Sequence, residues 1–152
     1  ASKKTPLQYL AKVPLFSSCN ARDLGKIAKA SERVTLKAGT TMITQGTAGK
    51  QAYVILSGNT TVKRNGKKIA MAQAGAMVGE LSLLDHGPRT ATVTCDTDCE
   101  VLVISGDEIN VLADKDPSFG YAFYRALARG LAQRMRVAAN DVALLKSLAR
   151  KS

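Results

Sequence analysis

Gly79-Glu80-Leu81-Ser82-Leu83-Leu84-Asp85-His86-Gly87-Pro88-Arg89-Thr90-Ala91-Thr92 is the stretch on which the reading of this chain turns. Gly79 lets the backbone approach a ligand closely. Glu80 to Leu84 reads as a short helical turn, and the first turn of a helix leaves N–H groups that favour an anion. Gly87-Pro88 is a rigid turn, after which Arg89 can aim its planar fork at a phosphate. Glu80 would repel a phosphate but suits a sugar hydroxyl, the job acidic residues do for ribose elsewhere. The segment therefore offers a cation for a phosphate and an acceptor for a ribose. The same residues also allow a surface turn closed by an Arg–Glu ion pair, and on their own they leave both readings open.

Outward from this segment the texture is that of short strands. Between 33 and 104, β-branched or apolar runs at 33–36, 40–44, 52–56, 60–64, 67–72, 91–95 and 101–104 alternate with turns, most of them centred on glycine. Asn65-Gly66 between two such runs predicts a type I′ hairpin, because that turn needs positive φ at both central residues. Asp96-Thr97-Asp98 reads as another hairpin turn. Strands this short and evenly spaced predict an antiparallel β-roll, jelly-roll-like, with the helical turn inserted into it. Before the roll, short helices are expected over 7–12, at Pro14-Leu15-Phe16 and over 20–30, the last capped by Asn20. After it come a helix over 106–113 and a long one opened by Asp116-Pro117. The fold class is α+β, mainly β, in a single domain: helices over 1–32, the roll over 33–104 and helices over 105–152.

In the long helix, Leu131, Met135, Ala138, Val142, Leu145 and Ala149 follow a heptad spacing. This seam either packs on the roll or joins two copies as a homodimer.

Composition narrows the partners. Hydrophobic residues make up 45% of the 152-residue chain, enough for one core, and with no Trp and 5% aromatics that core is expected to be mostly aliphatic. No apolar stretch is long enough to span a bilayer and no signal core follows the N-terminal lysines, so a cytoplasmic protein without a membrane segment is expected. Three cysteines, Cys19, Cys95 and Cys99, do not make a disulfide framework, and free thiols are expected. The net charge of +10 invites nucleic acid. The basic residues are scattered without interleaved aromatics, which favours a solvated surface instead. The helical tail is the exception: Arg125, Arg129, Arg134, Arg136, Lys146, Arg150 and Lys151 stand against Asp141 alone, a face suited to an acidic protein partner.

Catalytic readings find little support. Gly46-Thr47-Ala48-Gly49-Lys50-Gln51 hints at a P-loop, but its first glycine is misplaced and Gln51 stands where the magnesium-binding hydroxyl belongs. His86 is the one histidine, which leaves a metal phosphodiesterase without a ligand set, and no metal or cofactor is expected.

The opening segment resembles the phosphate-binding cassette of cyclic-nucleotide-binding domains, roughly F-G-E-x-x-L, a gap, then P-R-[AT]-A-[TS]. The chain has Val78-Gly79-Glu80-Leu81-Ser82-Leu83 and Pro88-Arg89-Thr90-Ala91-Thr92, with Val78 in place of the aromatic. Val13-Pro14-Leu15-Phe16, Gly39, Gln45-Gly46 and the run from Tyr53 to Gly58 are similar to further parts of that family. The resemblance implies a sensor and not an enzyme, in which Arg89 pairs with the cyclic phosphate and Glu80 accepts from the ribose 2′-hydroxyl. Gly79, Ser82, Thr90 and Ala91 add contacts, Leu81, Met71 and Val78 line the pocket, and the long helix closes over the base. The 132–140 stretch is similar to the central helix of the catabolite activator group, which places Arg134 on the ligand. Ala138-Ala139 replaces that group's hydroxyl pair, so Arg136, Ala138 and Asn140 are the remaining candidates for the base. The resemblance favours cAMP, with cGMP as the alternative because Thr90 directly follows the arginine. The chain stops at Ser152, short of a helix-turn-helix unit, so it is expected to be a stand-alone sensor or a piece of a larger effector, and nucleic-acid binding is not expected without a further domain. The rival from another class is a basic interaction or nucleic-acid-binding module without a small-molecule ligand.

Overall fold

The computed structural model describes residues 4–151. Eight strands form two four-stranded antiparallel sheets that face each other as a roll. One has the order β1-β8-β3-β6, with β1 (Ser31–Leu36), β8 (Cys99–Ser105), β3 (Gln51–Ser57) and β6 (Met77–Val78). The other has the order β2-β7-β4-β5, with β2 (Thr41–Ile43), β7 (Thr92–Cys95), β4 (Asn59–Arg64) and β5 (Lys67–Gln73). The β4–β5 hairpin turns at Asn65 (φ 53°) and Gly66 (φ 77°), the positive pair that the dipeptide predicts. Two features depart from expectation. β6 is a two-residue strand that the sequence did not announce. Asp96-Thr97-Asp98 is a turn but not a hairpin, since it carries the chain from β7 in one sheet to β8 in the other.

Helices bracket the roll. α1 (Pro6–Leu10), a 3-10 turn (Pro14–Phe16) and α2 (Ala21–Lys29) precede it, and α3 (Gly106–Lys115) and α4 (Pro117–Lys151) follow. Asn20 caps α2, its side chain accepting from Asp23 N at 2.8 Å. Asp116 caps α4 by accepting from Phe119 N at 3.2 Å and also pairs with Arg22 and Lys26 of α2. Those contacts, the Phe119 N–H first, hold the Asp116 carboxyl below the usual carboxylate range.

Burial divides into two clusters. Between the sheets lie Ile55, Val101, Ala72, Cys95 and Cys99. Burial, then the neighbouring Cys99 thiol, push the Cys95 thiol up to about 11, so it stays protonated at neutral pH. The larger cluster packs one sheet against the helices through Phe16, Ile27, Leu102, Ile104, Ile109, Phe119, Phe123 and Leu127. Leu83, from the short 3-10 helix Glu80–Leu83, belongs to this second cluster. The inserted turn thereby packs on β3 and α3 and shares the cluster to which α4 contributes.

α4 is continuous over 35 residues. Its first half buries Phe119, Phe123, Ala126 and Leu127, whereas every residue from 133 to 150 is exposed. Beyond Leu131 the heptad seam does not pack on the roll. Met135 is 73% exposed and Leu145 65%, far above what a packed seam shows.

Candidate functional site

Gly79 sits at φ 75°, a conformation glycine adopts without strain, and its turn starts the short helix. The first hydrogen bond of that helix runs from Ser82 N to Gly79 O at 3.1 Å, which leaves the N–H groups of Glu80 and Leu81 outside it. Downstream, Asp85 accepts from Gly87 N at 2.9 Å and stiffens the loop before Pro88. Arg89 is then fixed by its backbone: its N–H donates to Thr47 O at 2.8 Å, and its carbonyl accepts from Gly46 N at 2.8 Å.

The side chains of this segment border a cavity of about 430 Å³ between the inserted helix and the β2-β7-β4-β5 sheet, within the range of small-molecule sites. Val78, Gly79, Glu80, Leu81, Ser82, Arg89, Thr90, Ala91 and Arg134 all line it. Ile43, Val62, Met77 and Val93 supply apolar wall, and Arg64 and Ile69 join from the β4–β5 hairpin. Three guanidinium groups (Arg64, Arg89, Arg134) against two carboxylates (Glu80, Asp85) give the lining a cationic balance.

Arg89 donates through Nη1 to Gln51 O at 2.7 Å and to Ser82 Oγ at 2.7 Å, with Gly79 O at 3.5 Å. Burial lowers its pKa, with Tyr53 opposing. Arg89 is partly buried, and an added anion would offset that desolvation. Glu80 is not paired with Arg89, as a plain surface turn would have it. It forms an ion pair with Arg134 of α4, and its side chain is only 12% exposed. Arg64 Nε donates to Thr90 O at 3.0 Å, tying the hairpin to the residue after Arg89.

Four expected site residues lie outside the lining. Met71 pairs with Thr61 and is 49% exposed, on the outer face of the hairpin. Val62 pairs with Ala70 and Lys63 with Lys68, so Ile69 is the extra residue of a bulge and reaches the cavity instead. Arg136, Ala138 and Asn140 belong to the exposed part of α4. Arg136 is turned about 200° from Arg134, and the other two stand roughly 6 and 9 Å farther along the axis. Arg64 and Val62 were not anticipated, although their period-two spacing on β4 was the available signal.

Among known proteins, the cyclic nucleotide-binding domain family matches over residues 33–116. The cAMP-dependent protein kinase regulatory subunit of Aspergillus niger is 35% identical over 101 residues, which cover 65% of this chain and 25% of that protein. This chain thus spans about a quarter of that relative. The N-terminal domain of a transcriptional regulator from Streptomyces coelicolor A3(2) superposes with a TM-score of 0.73 at 30% identity, covering 83% of this chain and 94% of that one. The catabolite activator protein of Thermus thermophilus does so with a TM-score of 0.75 at 28% identity, covering 88% and 63%.

Proposed function

We infer that this chain, which belongs to the cyclic nucleotide-binding domain family, is the sensing part of a regulator, takes cAMP as its ligand and does no chemistry on it. One observation carries the reading: a single cavity brings Arg89 and the low-exposure carboxylate of Glu80 onto its lining, a cation for the cyclic phosphate and an acceptor for the ribose. The name of the Aspergillus niger relative favours cAMP. A cGMP reading draws on Thr90, which lines the cavity next to Arg89 in sequence and carries a hydroxyl that suits a guanine amino group.

The output passes through α4. Leu83 joins the inserted helix to the cluster that holds Phe119, Phe123 and Leu127, and Arg134 reaches back to Glu80. A ligand that draws on Glu80 competes with Arg134, and one that shifts the inserted helix moves Leu83 within the cluster that α3 and α4 share. Such a ligand repositions α4 to the extent that it binds the two arrangements unequally. A thermal-shift panel of cAMP, cGMP, AMP and a cyclic dinucleotide tests the assignment. Ligand at a hundredfold its Kd stabilises by about 2.7 kcal/mol, roughly 5–10 °C for a domain this size. The expected ranking is cAMP above cGMP, with AMP inert. No shift with either cyclic mononucleotide refutes the function, and a larger shift with cGMP moves the assignment to the alternative.

The exposed seam of α4 fits a second copy of the chain. Met135, Val142 and Leu145 are at least half exposed at heptad positions, the pattern that pairs helices. Sedimentation velocity is expected to find a dimer at micromolar concentration and a monomer after Met135→Glu with Leu145→Glu. A parent chain that sediments as a monomer with and without cAMP removes this role.

A further inference from the structure

Two glycines of the P-loop-like stretch differ in what they need. Gly46 has φ +85° and open space around it, so its backbone requires glycine. Gly49 is buried and its φ is not in the left-handed region, so space is what it provides. A Cβ on Gly49 would stand 2.2 Å from Ser82 Oγ, 2.5 Å from Arg89 Nε and 2.6 Å from Arg89 Cζ.

We propose that Gly49 and Ser82 form a seat that aims Arg89, making both of them positioning residues for ligand binding. This rests on the reading that Arg89 holds the ligand's phosphate. Nη1 of an arginine carries two hydrogens, and the Gln51 carbonyl and the Ser82 hydroxyl, both at 2.7 Å, take them. Two bonds from one nitrogen fix the plane of a rigid fork. The Nε and Nη2 hydrogens have no protein partner among the described residues and remain available to an anion. Gly79 closes the other side, where a Cβ would come within 2.7 Å of Nη1.

The loop that carries Gly49 is not free to retreat. Gly46 N donates to Arg89 O, Arg89 N to Thr47 O, and Ala48 bridges to Pro88. A methyl group at 49 therefore displaces the flexible partners, Arg89 and Ser82, and leaves the backbone in place. The fork turns, and ligand affinity falls while the fold persists.

The experiment measures cAMP affinity by calorimetry and the melting temperature without ligand. Gly49→Ala is expected to lose about tenfold to a hundredfold in affinity, the scale of one charge-assisted hydrogen bond, with a melting temperature close to the parent's. Ser82→Gly removes the hydroxyl that lies nearest the new methyl. Combined with Gly49→Ala, it is expected to restore part of the loss, a non-additivity that marks residues in contact. In an Arg89→Lys background, which has no fork to displace, Gly49→Ala is expected to cost less than threefold. The seat is overturned if Gly49→Ala binds as the parent does, if it unfolds the chain, or if its effect is the same with Lys at 89. Unchanged binding in Arg89→Ala instead brings down the phosphate reading on which the seat rests.

Discussion

Arg89→Ala is expected to cut cAMP affinity by at least tenfold to a hundredfold while the domain stays folded. A hydrogen bond to a charged group contributes about 1.5–3 kcal/mol, and each 1.4 kcal/mol is tenfold in Kd. The fork offers more than one such bond to a phosphate, so the lower end of that range is the minimum. The fold tolerates the loss because Arg89 is a burden as well as a contact. Burial already lowers its pKa, so removing it relieves a desolvation cost. The groups left behind are the Gln51 and Gly79 carbonyls and a hydroxyl that can rotate to another partner. Arg89→Lys separates charge from geometry. It keeps the cation but cannot hold Gln51 O and Ser82 Oγ from one nitrogen while presenting two others, and it is expected to fall between alanine and the parent. Calorimetry on all three proteins, with circular dichroism as the fold control, decides the matter. Parent-like affinity in a folded alanine variant removes Arg89 from the site.

Much of this arrangement is written locally, and that explains what could be read in advance. The segment from Gly79 to Thr92 holds its main roles within fourteen residues, so spacing alone brings Glu80 and Arg89 to one place. The positive-φ turn at Asn65-Gly66, the Asn20 cap and the start of α4 at Asp116-Pro117 are likewise decided by neighbours in sequence. What escaped depends on contacts between distant segments. Gly49 owes its role to Ser82 and Arg89, and no local pattern distinguishes it from Gly46. β6 is two residues long, too short for any periodicity, and exists because it pairs with Tyr53 and Val54. The resemblance puts Met71 in the wall, but the bulge at Ile69 shifts the face that meets the cavity. The turn at 96–98 has hairpin composition, yet the choice between pairing and crossing sheets lies with the strands around it.

The second large effect concerns Glu80, where a ligand analogue can be set against a variant. If the carboxylate accepts from the ribose 2′-hydroxyl, the parent chain is expected to bind 2′-deoxy-cAMP about tenfold or more weaker than cAMP, the worth of one hydrogen bond to a charged group. Glu80→Ala is expected to lose about as much for cAMP and then to bind both ligands alike, because hydroxyl and carboxylate form one interaction in a double-mutant cycle. Glu80→Gln retains an oxygen that accepts but gives up the charge, so it falls between the two. It also breaks the ion pair with Arg134, which is more than half exposed, whereas the Glu80 side chain is only 12% exposed. If that pair is the sole role of Glu80, losing it changes the affinity for both ligands by the same factor, because neither ligand then uses its 2′ position at Glu80. The ratio of the two dissociation constants therefore isolates the ribose contact from any effect transmitted through α4. A ratio that stays the same in Glu80→Ala as in the parent shows that the 2′-hydroxyl has another partner, and it leaves Glu80 with the Arg134 pair as its sole role.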